Sequence, residues 1–333
     1  MKIDKTAILG AGSWGTALAW IWGKDGRKIS LWGNTPDRVA RIQKTRENSD
    51  YMPGLTLPES VCVTSDLQDC ADADLIVFVT PSGALRTITT RLRQVVGNRQ
   101  AVFLSCTKGI EYGTGMRMSQ ILGEIFAAKK ISVLSGPNLA PEVAKKFPTA
   151  TVVGCDDLDC AERLQKFLGS PRFRIYTSQD VASIELGGAL KNVFAIAAGI
   201  SDGLGLGDNS KAALVTRSLA ELVRLGVAMG GNVHAFYGLS GAGDLVLTCY
   251  SEQSRNYTVG KRLGHGEPLA EITTSMKTVV EGITTTRSAY ECARRLNVDT
   301  PIIDQVYGML YEQKLPAVAL EQLLQREQKP EQA

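Results

Sequence analysis

Histidine is nearly absent from this chain: 333 residues contain only two, His234 and His265. The first follows a Gly-Gly pair and the second sits in Gly264-His265-Gly266, so both read as surface turn residues. No His/Cys/carboxylate cluster has metal-ligand spacing, and no metal is expected. Cys-x-x-Cys is missing as well. Seven cysteines, at 62, 70, 106, 155, 160, 249 and 292, are scattered and odd in number. That argues against a disulfide framework and fits reduced thiols in a cytoplasmic protein. Nothing approaches the ~20 consecutive apolar residues of a membrane span. The most apolar helical stretch, 182–200, is interrupted by Glu185 and Lys191. Asp4 and a short apolar run at the start argue against a signal peptide. Charge of one sign is not in excess either. Basic side chains number 37 and acidic ones 34, too even a balance for nucleic acid to be the partner.

The length calls for two domains, since one core rarely grows that large. Up to about residue 180, short β-rich runs alternate with helical stretches: Thr6–Leu9, Lys28–Trp32, Leu75–Val79, Ala101–Ser105, Ile131–Leu134 and Thr151–Val153. Such alternation means βαβ units and a mainly parallel sheet. Beyond 180 the apolar spacing turns to period 3.6, in Leu214–Met229, Thr284–Leu296 and Ile302–Leu310. The expected organisation is a Rossmann-type α/β dinucleotide-binding domain over 1–180 and an all-helical substrate and catalytic domain over 181–333. A long helix over Asp180–Ile200 would stand at the junction, and the polar tail from Gln325 is expected to fray.

The first motif is Gly10-Ala11-Gly12-Ser13-Trp14-Gly15, between the run Ala7-Ile8-Leu9 and the helical Thr16–Trp22. This is G-x-G-x-x-G in the context that gives it meaning. Gly10 permits the tight turn, Gly12 lets a pyrophosphate approach the backbone, and Gly15 lets helix and strand pack closely. The amides at the helix N-terminus then hold the anion. The alternative is a tight turn with no ligand. Cofactor choice falls to the end of the second strand, where NAD-specific enzymes place an acidic residue. Here that position is the neutral Asn34, with Arg38 one turn further. NADPH is therefore expected to serve at least as well as NADH. Asp37, after Pro36, is expected to open the next helix. Lys108, in the loop Ser105-Cys106-Thr107-Lys108-Gly109, lies at a strand's carboxyl end, where open α/β sheets bind ligands. A solvated loop lysine is the plain alternative.

Hydride transfer at an alcohol carbon needs a group to handle the hydroxyl proton. The segment Glu185-Leu186-Gly187-Gly188-Ala189-Leu190-Lys191-Asn192 offers one. Lys191 breaks an apolar helix. Gly187 and Gly188 lie on its face and would leave room for a ligand, which Asn192 could orient. A free lysine is a poor base, with a pKa of ~10.4. Burial or a second cation, for which Lys108 is the candidate, would lower it. A lysine whose stem packs on the core is an equal alternative. The third motif, Gly238-Leu239-Ser240-Gly241-Ala242-Gly243-Asp244-Leu245, runs on to Thr248, a candidate substrate contact, and then Ser254-Arg255-Asn256. Ser254 is a candidate N-cap for a helix over Arg255–Leu263. Arginine, asparagine and a helix N-terminus suit a phosphate. Asp244 could accept from a substrate hydroxyl or hold a lysine. An ordinary capped helix with a structural Arg–Asp pair remains the alternative.

In this order and spacing the motifs resemble the NAD(P)-dependent glycerol-3-phosphate dehydrogenases of the bacterial type. Thr107-Lys108-Gly109, Ser135-Gly136-Pro137 and Val280-Glu281-Gly282 match as well, so the resemblance covers nearly the whole chain. It implies interconversion of glycerol 3-phosphate and dihydroxyacetone phosphate with NADH or NADPH, in a cytoplasmic homodimer that feeds phospholipid synthesis. It implies Lys191 as proton donor and acceptor. Lys108, Gly136, Asp244, Ser254, Arg255 and Asn256 would contact the substrate, and Ser13, Trp14, Lys108, Ala140, Arg255, Val279 and Glu281 the cofactor. Asn138 departs from the family, which commonly has Ser or Thr there in the substrate site. The rivals are a two-domain hydroxyacid dehydrogenase, in which Arg255 would hold a carboxylate, and a non-catalytic NADPH-binding regulator.

Overall fold

The computed structural model describes residues 3–97, 100–128, 130–276, 279–328 and 330–331. Strand and helix alternate first: β1 (Lys5–Leu9), α1 (Ser13–Lys24), β2 (Lys28–Trp32), α2 (Pro36–Thr45), β3 (Val61–Thr64), β4 (Leu75–Phe78), α3 (Ser82–Val96), β5 (Val102–Ser105), α4 (Met118–Phe126), β6 (Ser132–Ser135), α5 (Ala140–Ala144), β7 (Thr149–Gly154), α6 (Leu158–Leu168) and β8 (Phe173–Ser178). Helices follow: α7 (Val181–Gly203), α8 (Gly207–Ala228), α9 (Asp244–Tyr250), α10 (Arg255–Gly264), α11 (Leu269–Ser275), α12 (Glu281–Arg295), α13 (Pro301–Tyr311) and α14 (Pro316–Leu324). The chain divides into two compact units, Met1–Gly109 with Met116–Glu185, and Ile110–Gly115 with Leu186–Ala333.

In the first unit the strands form one sheet in the order β3-β2-β1-β4-β5-β6-β7-β8. Neighbours are parallel except β6 and β7. Successive side chains of a strand face opposite ways. Ile8 therefore packs with Val77, Leu104 and Leu18 on one face, while Ala7 and Leu9 pack with Phe78, Leu85 and Ile121 on the other. Helices cover both faces, so the inner strands are apolar throughout, which made them legible as runs. The edge strands β3 and β8 were not expected. They turn Cys62, Arg174 and Tyr176 outward, so neither shows a continuous apolar run. The strand order reverses between β1 and β4, and the glycine loop leaves the carboxyl end of β1 at that switch point.

The second unit is built around α7, whose Leu186, Leu190, Val193, Phe194 and Ile196 are wholly buried. They pack with Leu222 of α8, Leu245 of α9, Val259 of α10, Ala289 of α12 and Ile303 of α13. Among the described residues α7 is the one helix long and apolar enough to cross a membrane, and 94% of its most apolar window is buried inside the protein. Its hydropathy is that of a core helix. The expected periodic segments lie in α8, α12 and α13, with α8 starting earlier, at Gly207. The tail is not loose from its outset, because Arg326 Nη2 pairs with Asp299 at 2.7 Å; residues 329, 332 and 333 lie outside the described ones.

Two glycines of the first motif are demanded by the protein itself. Gly10 has φ +127°, and a Cβ there would lie 2.5 Å from the Val79 carbonyl oxygen; at Gly15 it would lie 1.9 Å from that of Gly10. At Gly12 a Cβ meets nothing within 4 Å, and its backbone is extended. Gly15→Ala should therefore lower stability by ~1–3 kcal/mol or more, as overpacking does. Gly12→Ala should stay within ~0.5 kcal/mol of the parent. Urea midpoints measure both, and matching midpoints for the two variants would contradict this account of the loop.

Candidate active site

In the first unit the glycine loop is held from behind. Buried Asn48 donates from Nδ2 to the Ala11 carbonyl at 3.0 Å and to Thr16 Oγ1 at 2.8 Å. Ser13 Oγ donates to the Tyr51 carbonyl at 3.3 Å. Trp14 is tilted against Phe173 with ring centroids 6.2 Å apart. The N-cap of α1 is Gly12, which has no side chain to bond the first-turn amides. Those amides suit an anion. Just beyond or at the carboxyl ends of β4, β5 and β6, the buried hydroxyls of Thr80, Ser105 and Ser135 have no partner among the described residues. Buried hydroxyls are ordinarily bonded. Orphans at these strand ends, together with the uncapped helix, fit a polar dinucleotide.

At the end of β2 the structure adds a residue that sequence reading passed over. Asn34 is exposed, and its Oδ1 accepts from Arg91 Nη1 of α3 at 3.3 Å. Arg38 is occupied elsewhere, bonding Asp50 at 3.1 Å and the Tyr51 hydroxyl at 3.3 Å. Asp37 lies in the first turn of α2, as expected. Arg91 is 57 residues from Asn34 in sequence, and only the parallel sheet order brings α3 there, so no local pattern could have found it. Lys108 Nζ donates to the Gly136 carbonyl at 3.1 Å, which joins two of the expected residues. Asn138 Nδ2 bonds the Ala150 carbonyl at 3.2 Å, so the amide that replaces Ser or Thr is tied to β7. Ala140 opens α5.

In the second unit the lysine of α7 is buried and paired. Lys191 Nζ lies 2.6 Å from Asp244 Oδ1 and 2.7 Å from Thr248 Oγ1; Lys191 is 7% exposed and Asp244 1%. Asp244 begins α9 directly after a π-helical turn over Leu239–Gly243, which presents its carboxylate to α7. The expectation of room beside the glycines needs correction at Gly187. A Cβ there would stand 2.6 Å from the Ser240 carbonyl oxygen, so Gly187 admits that turn rather than a ligand. Burial pushes the Glu185 carboxyl above its ordinary value, against the opposing pull of Arg117. Its carboxylate accepts from the Ser119 amide at 2.7 Å and from Arg117 at 2.6 Å, so Glu185 secures the first turns of α7.

The third motif folds as expected at its cap. Ser254 Oγ accepts from the Tyr257 amide at 3.3 Å. Arg255 is exposed, and its Nη1 donates to the Val279 carbonyl at 3.1 Å. Asn192 does not stand ready for a ligand as expected: its Oδ1 accepts from Asn256 Nδ2 at 2.8 Å, and Asn256 Oδ1 accepts from the Gly282 amide at 2.9 Å. The two asparagines thus join α7, α10 and α12, whose first residue is Glu281. Neither histidine takes part, since both are exposed.

Comparison with known proteins identifies the family of both halves of the chain. Residues 5–161 match the family model of the NAD-dependent glycerol-3-phosphate dehydrogenase N-terminus, and residues 180–321 that of its C-terminus. The glycerol-3-phosphate dehydrogenase (NAD(P)+) of Syntrophotalea carbinolica is 46% identical over 97% of this chain and 98% of its own. That of Streptomyces coelicolor is 44% identical over 99% of each. The crystal structure of glycerol-3-phosphate dehydrogenase from Coxiella burnetii superposes with a TM-score of 0.94 at 36% identity, over 97% of this chain and 99% of that one. A ketopantoate reductase from Ralstonia eutropha, at 15% identity and TM-score 0.61, shares the fold alone. With both halves matched in order and nearly end to end, the chain belongs to the NAD-dependent glycerol-3-phosphate dehydrogenase family.

Proposed function

We propose that this protein interconverts glycerol 3-phosphate and dihydroxyacetone phosphate with NAD(P)(H), with Lys191 as the general acid and base. The observation that carries this is the buried Lys191–Asp244–Thr248 cluster in a chain whose relatives bear that activity in their names. Family membership favours this reading over a regulator that only binds a dinucleotide. The first unit is assigned the dinucleotide, through Gly10, Gly12, Ser13, Trp14, Gly15, Asn34 and Ala140. The second is assigned substrate and proton, with Arg255, Val279 and Glu281 also contributing to the cofactor. A bound reduced nicotinamide supplies the hydride for the carbonyl carbon. Lys191 supplies the proton for the carbonyl oxygen, and Asp244 and Thr248 hold its ammonium in place. Arg255, at the N-terminus of α10, holds the phosphate with Ser254 and Asn256, because its planar fork matches phosphate oxygens. Lys108, Gly136 and Asn138 are assigned to the substrate from the first unit. Seven free thiols support a cytoplasmic location, and the family resemblance supports a homodimer. The reduced product is the phosphorylated backbone of glycerophospholipids, which supports a role in supplying phospholipid synthesis.

Loss of a general acid–base group typically costs ~10²–10⁴ in rate. Lys191→Met should lower kcat by that factor while dinucleotide binding survives. It also strands a buried carboxylate, a loss of ~3–5 kcal/mol of stability. Lys191→Met combined with Asp244→Asn should therefore recover stability but not turnover. Single-turnover kinetics beside thermal melts separate the two effects, and near-parental kcat in either variant would remove Lys191 from the chemistry.

Arg255→Ala should raise KM for dihydroxyacetone phosphate roughly 10- to 100-fold, the worth of a charge-assisted hydrogen bond of ~1.5–3 kcal/mol. Dihydroxyacetone, without a phosphate, should be a poor substrate that loses little more in the variant. Equal losses on both would assign Arg255 to the cofactor or the fold.

NADPH should serve at least as well as NADH, since Asn34 is neutral and Arg91 stands beside it. Arg91→Ala should lower kcat/KM for NADPH by about tenfold, one charge-assisted contact, and for NADH far less. The measurement is kcat/KM for each cofactor at one pH. A parent strongly favouring NADH, or an Arg91 variant losing both equally, would show that this strand end does not read the ribose.

A further inference from the structure

The helices that carry the proposed acid–base and phosphate groups touch backbone to backbone. A Cβ at Gly199 of α7 would stand 2.1 Å from the Tyr257 carbonyl oxygen of α10, and one at Gly260 of α10 would stand 2.0 Å from that of Ile196. Gly203 and Gly264 repeat the approach one turn on, at 2.3 Å from the Lys261 carbonyl oxygen and 2.6 Å from that of Ile200. Glycine contact fixes the spacing of the two axes and limits how far one helix can slide along the other.

The register has its own lock. Asp202, in the last turn of α7, receives Lys211 Nζ of α8 at 2.5 Å on Oδ2, and the Tyr257 hydroxyl on the same oxygen. Lys211 is 6% exposed, a buried cation that needs this partner. Its ammonium also lies 4.6 Å from the ring centre of Tyr250 and 4.9 Å from that of Tyr257, within cation–π range. Tyr250 ends α9, the helix that begins with Asp244; Tyr257 stands in the first turn of α10, two residues after Arg255. One buried cation thus ties the end of the helix that holds Lys191 to the start of the helix that bears Arg255. From the residue beside Tyr257, the Asn192–Asn256 hydrogen bond at 2.8 Å ties α10 to an earlier turn of α7 and sets the same register.

We propose that Asp202, Lys211 and Tyr257 are positioning residues that fix the separation of the Lys191 ammonium from the Arg255 guanidinium, and so set the length of phosphorylated ketone the enzyme accepts. The proposal rests on the assignment of proton transfer to Lys191 and phosphate to Arg255. A ketone phosphate bridges the two groups with its carbonyl oxygen at one end and its phosphate at the other, so helix register becomes chain length. Misplacement by ~1 Å costs on the order of 10²-fold in rate, and one methylene in a fitted site is worth ~10–200-fold in discrimination. No residue of the lock needs to touch substrate.

The test compares dihydroxyacetone phosphate with the ketone phosphate one methylene longer between carbonyl and phosphate, at saturating NADPH, on the full-length enzyme. The parent should prefer the shorter substrate. Tyr257→Phe, which removes one oxygen atom and keeps the ring, and Lys211→Met should each reduce that preference by about tenfold. The reduction should come through kcat for the shorter substrate, with KM changed less, because the contacting groups are kept and only their placement shifts. Lys211→Arg, which keeps the charge, should restore most of the preference. If Tyr257→Phe and Lys211→Met lower activity on both substrates alike, leaving the ratio at its parental value, the residues serve stability only and the proposal is overturned. Should Lys211→Met fail to fold, Tyr257→Phe decides alone. Arg255→Ala in the same assay tests the assignment underneath. A ratio that survives that substitution removes phosphate binding from Arg255, whereas a ratio that collapses there but holds in Tyr257→Phe refutes the register lock alone.

Discussion

A lysine ammonium cannot lie in an apolar helix bundle without an anion beside it, and much of the second unit follows from that constraint. Lys191 is 7% exposed on a helix whose neighbouring positions are wholly buried. Desolvating its charge costs several kcal/mol unless a counter-charge and hydrogen bonds compensate. Asp244 and Thr248 provide both. To do so, α9 must start where it does. The π-helical turn before it must pass close to α7, and Gly187 must lack a side chain so that Ser240 can approach. A wide helical turn is often found at a functional position, and here it aims a buried carboxylate.

The first unit obeys a different constraint, that of a sheet covered on both faces. Strands buried on two sides leave only their ends open to polar ligands, which open α/β sheets bind at the carboxyl ends, and the loops there carry the small polar residues. Thr80, Ser105 and Ser135 keep hydroxyls without partners among the described residues, in positions where packing alone would favour an apolar group. In the glycine loop the structural and binding demands separate by residue. Gly10 and Gly15 are required by the backbone around them, while nothing in the protein crowds Gly12. Packing does not require its bareness, and Gly12 is the glycine proposed to let a pyrophosphate approach the backbone.

The two asparagines of the second unit illustrate a recurrent economy. Asn192 and Asn256 each lie beside a residue assigned to chemistry or binding, yet they are bonded to one another and to Gly282. They fix where α7, α10 and α12 meet, beside Lys191 and Arg255. Glu185 does the same at the start of α7, where Arg117 and Ser119 hold it. Residues of this kind sit inside the motifs read from the sequence, and their hydrogen bonds hold the neighbours in place.

The sequence by itself determined whatever depends on local periodicity and local turn chemistry. The inner strands announced themselves as apolar runs, α8, α12 and α13 as period-3.6 segments, the cofactor loop as glycines between strand and helix, and the α10 cap as Ser254. Lys191 was legible as one charge in an apolar helix, and Asp244 as a carboxylate closing a glycine-rich turn that could hold a lysine. The edge strands β3 and β8 were not legible, because half-exposed strands lack a continuous apolar signal. Only the tertiary structure decided that these two residues are each other's partner, that Gly187 makes room for a backbone, and that Asn192 is committed to Asn256. It alone placed Arg91 at Asn34 while Arg38 turned to Asp50. The physical reason is the same throughout. Apart from Arg38 and Asp50, which are 12 residues apart, these are pairings between residues tens of positions apart, fixed by sheet order and helix contact, and a side chain's type says what bonds it can make without saying which neighbour the fold will bring.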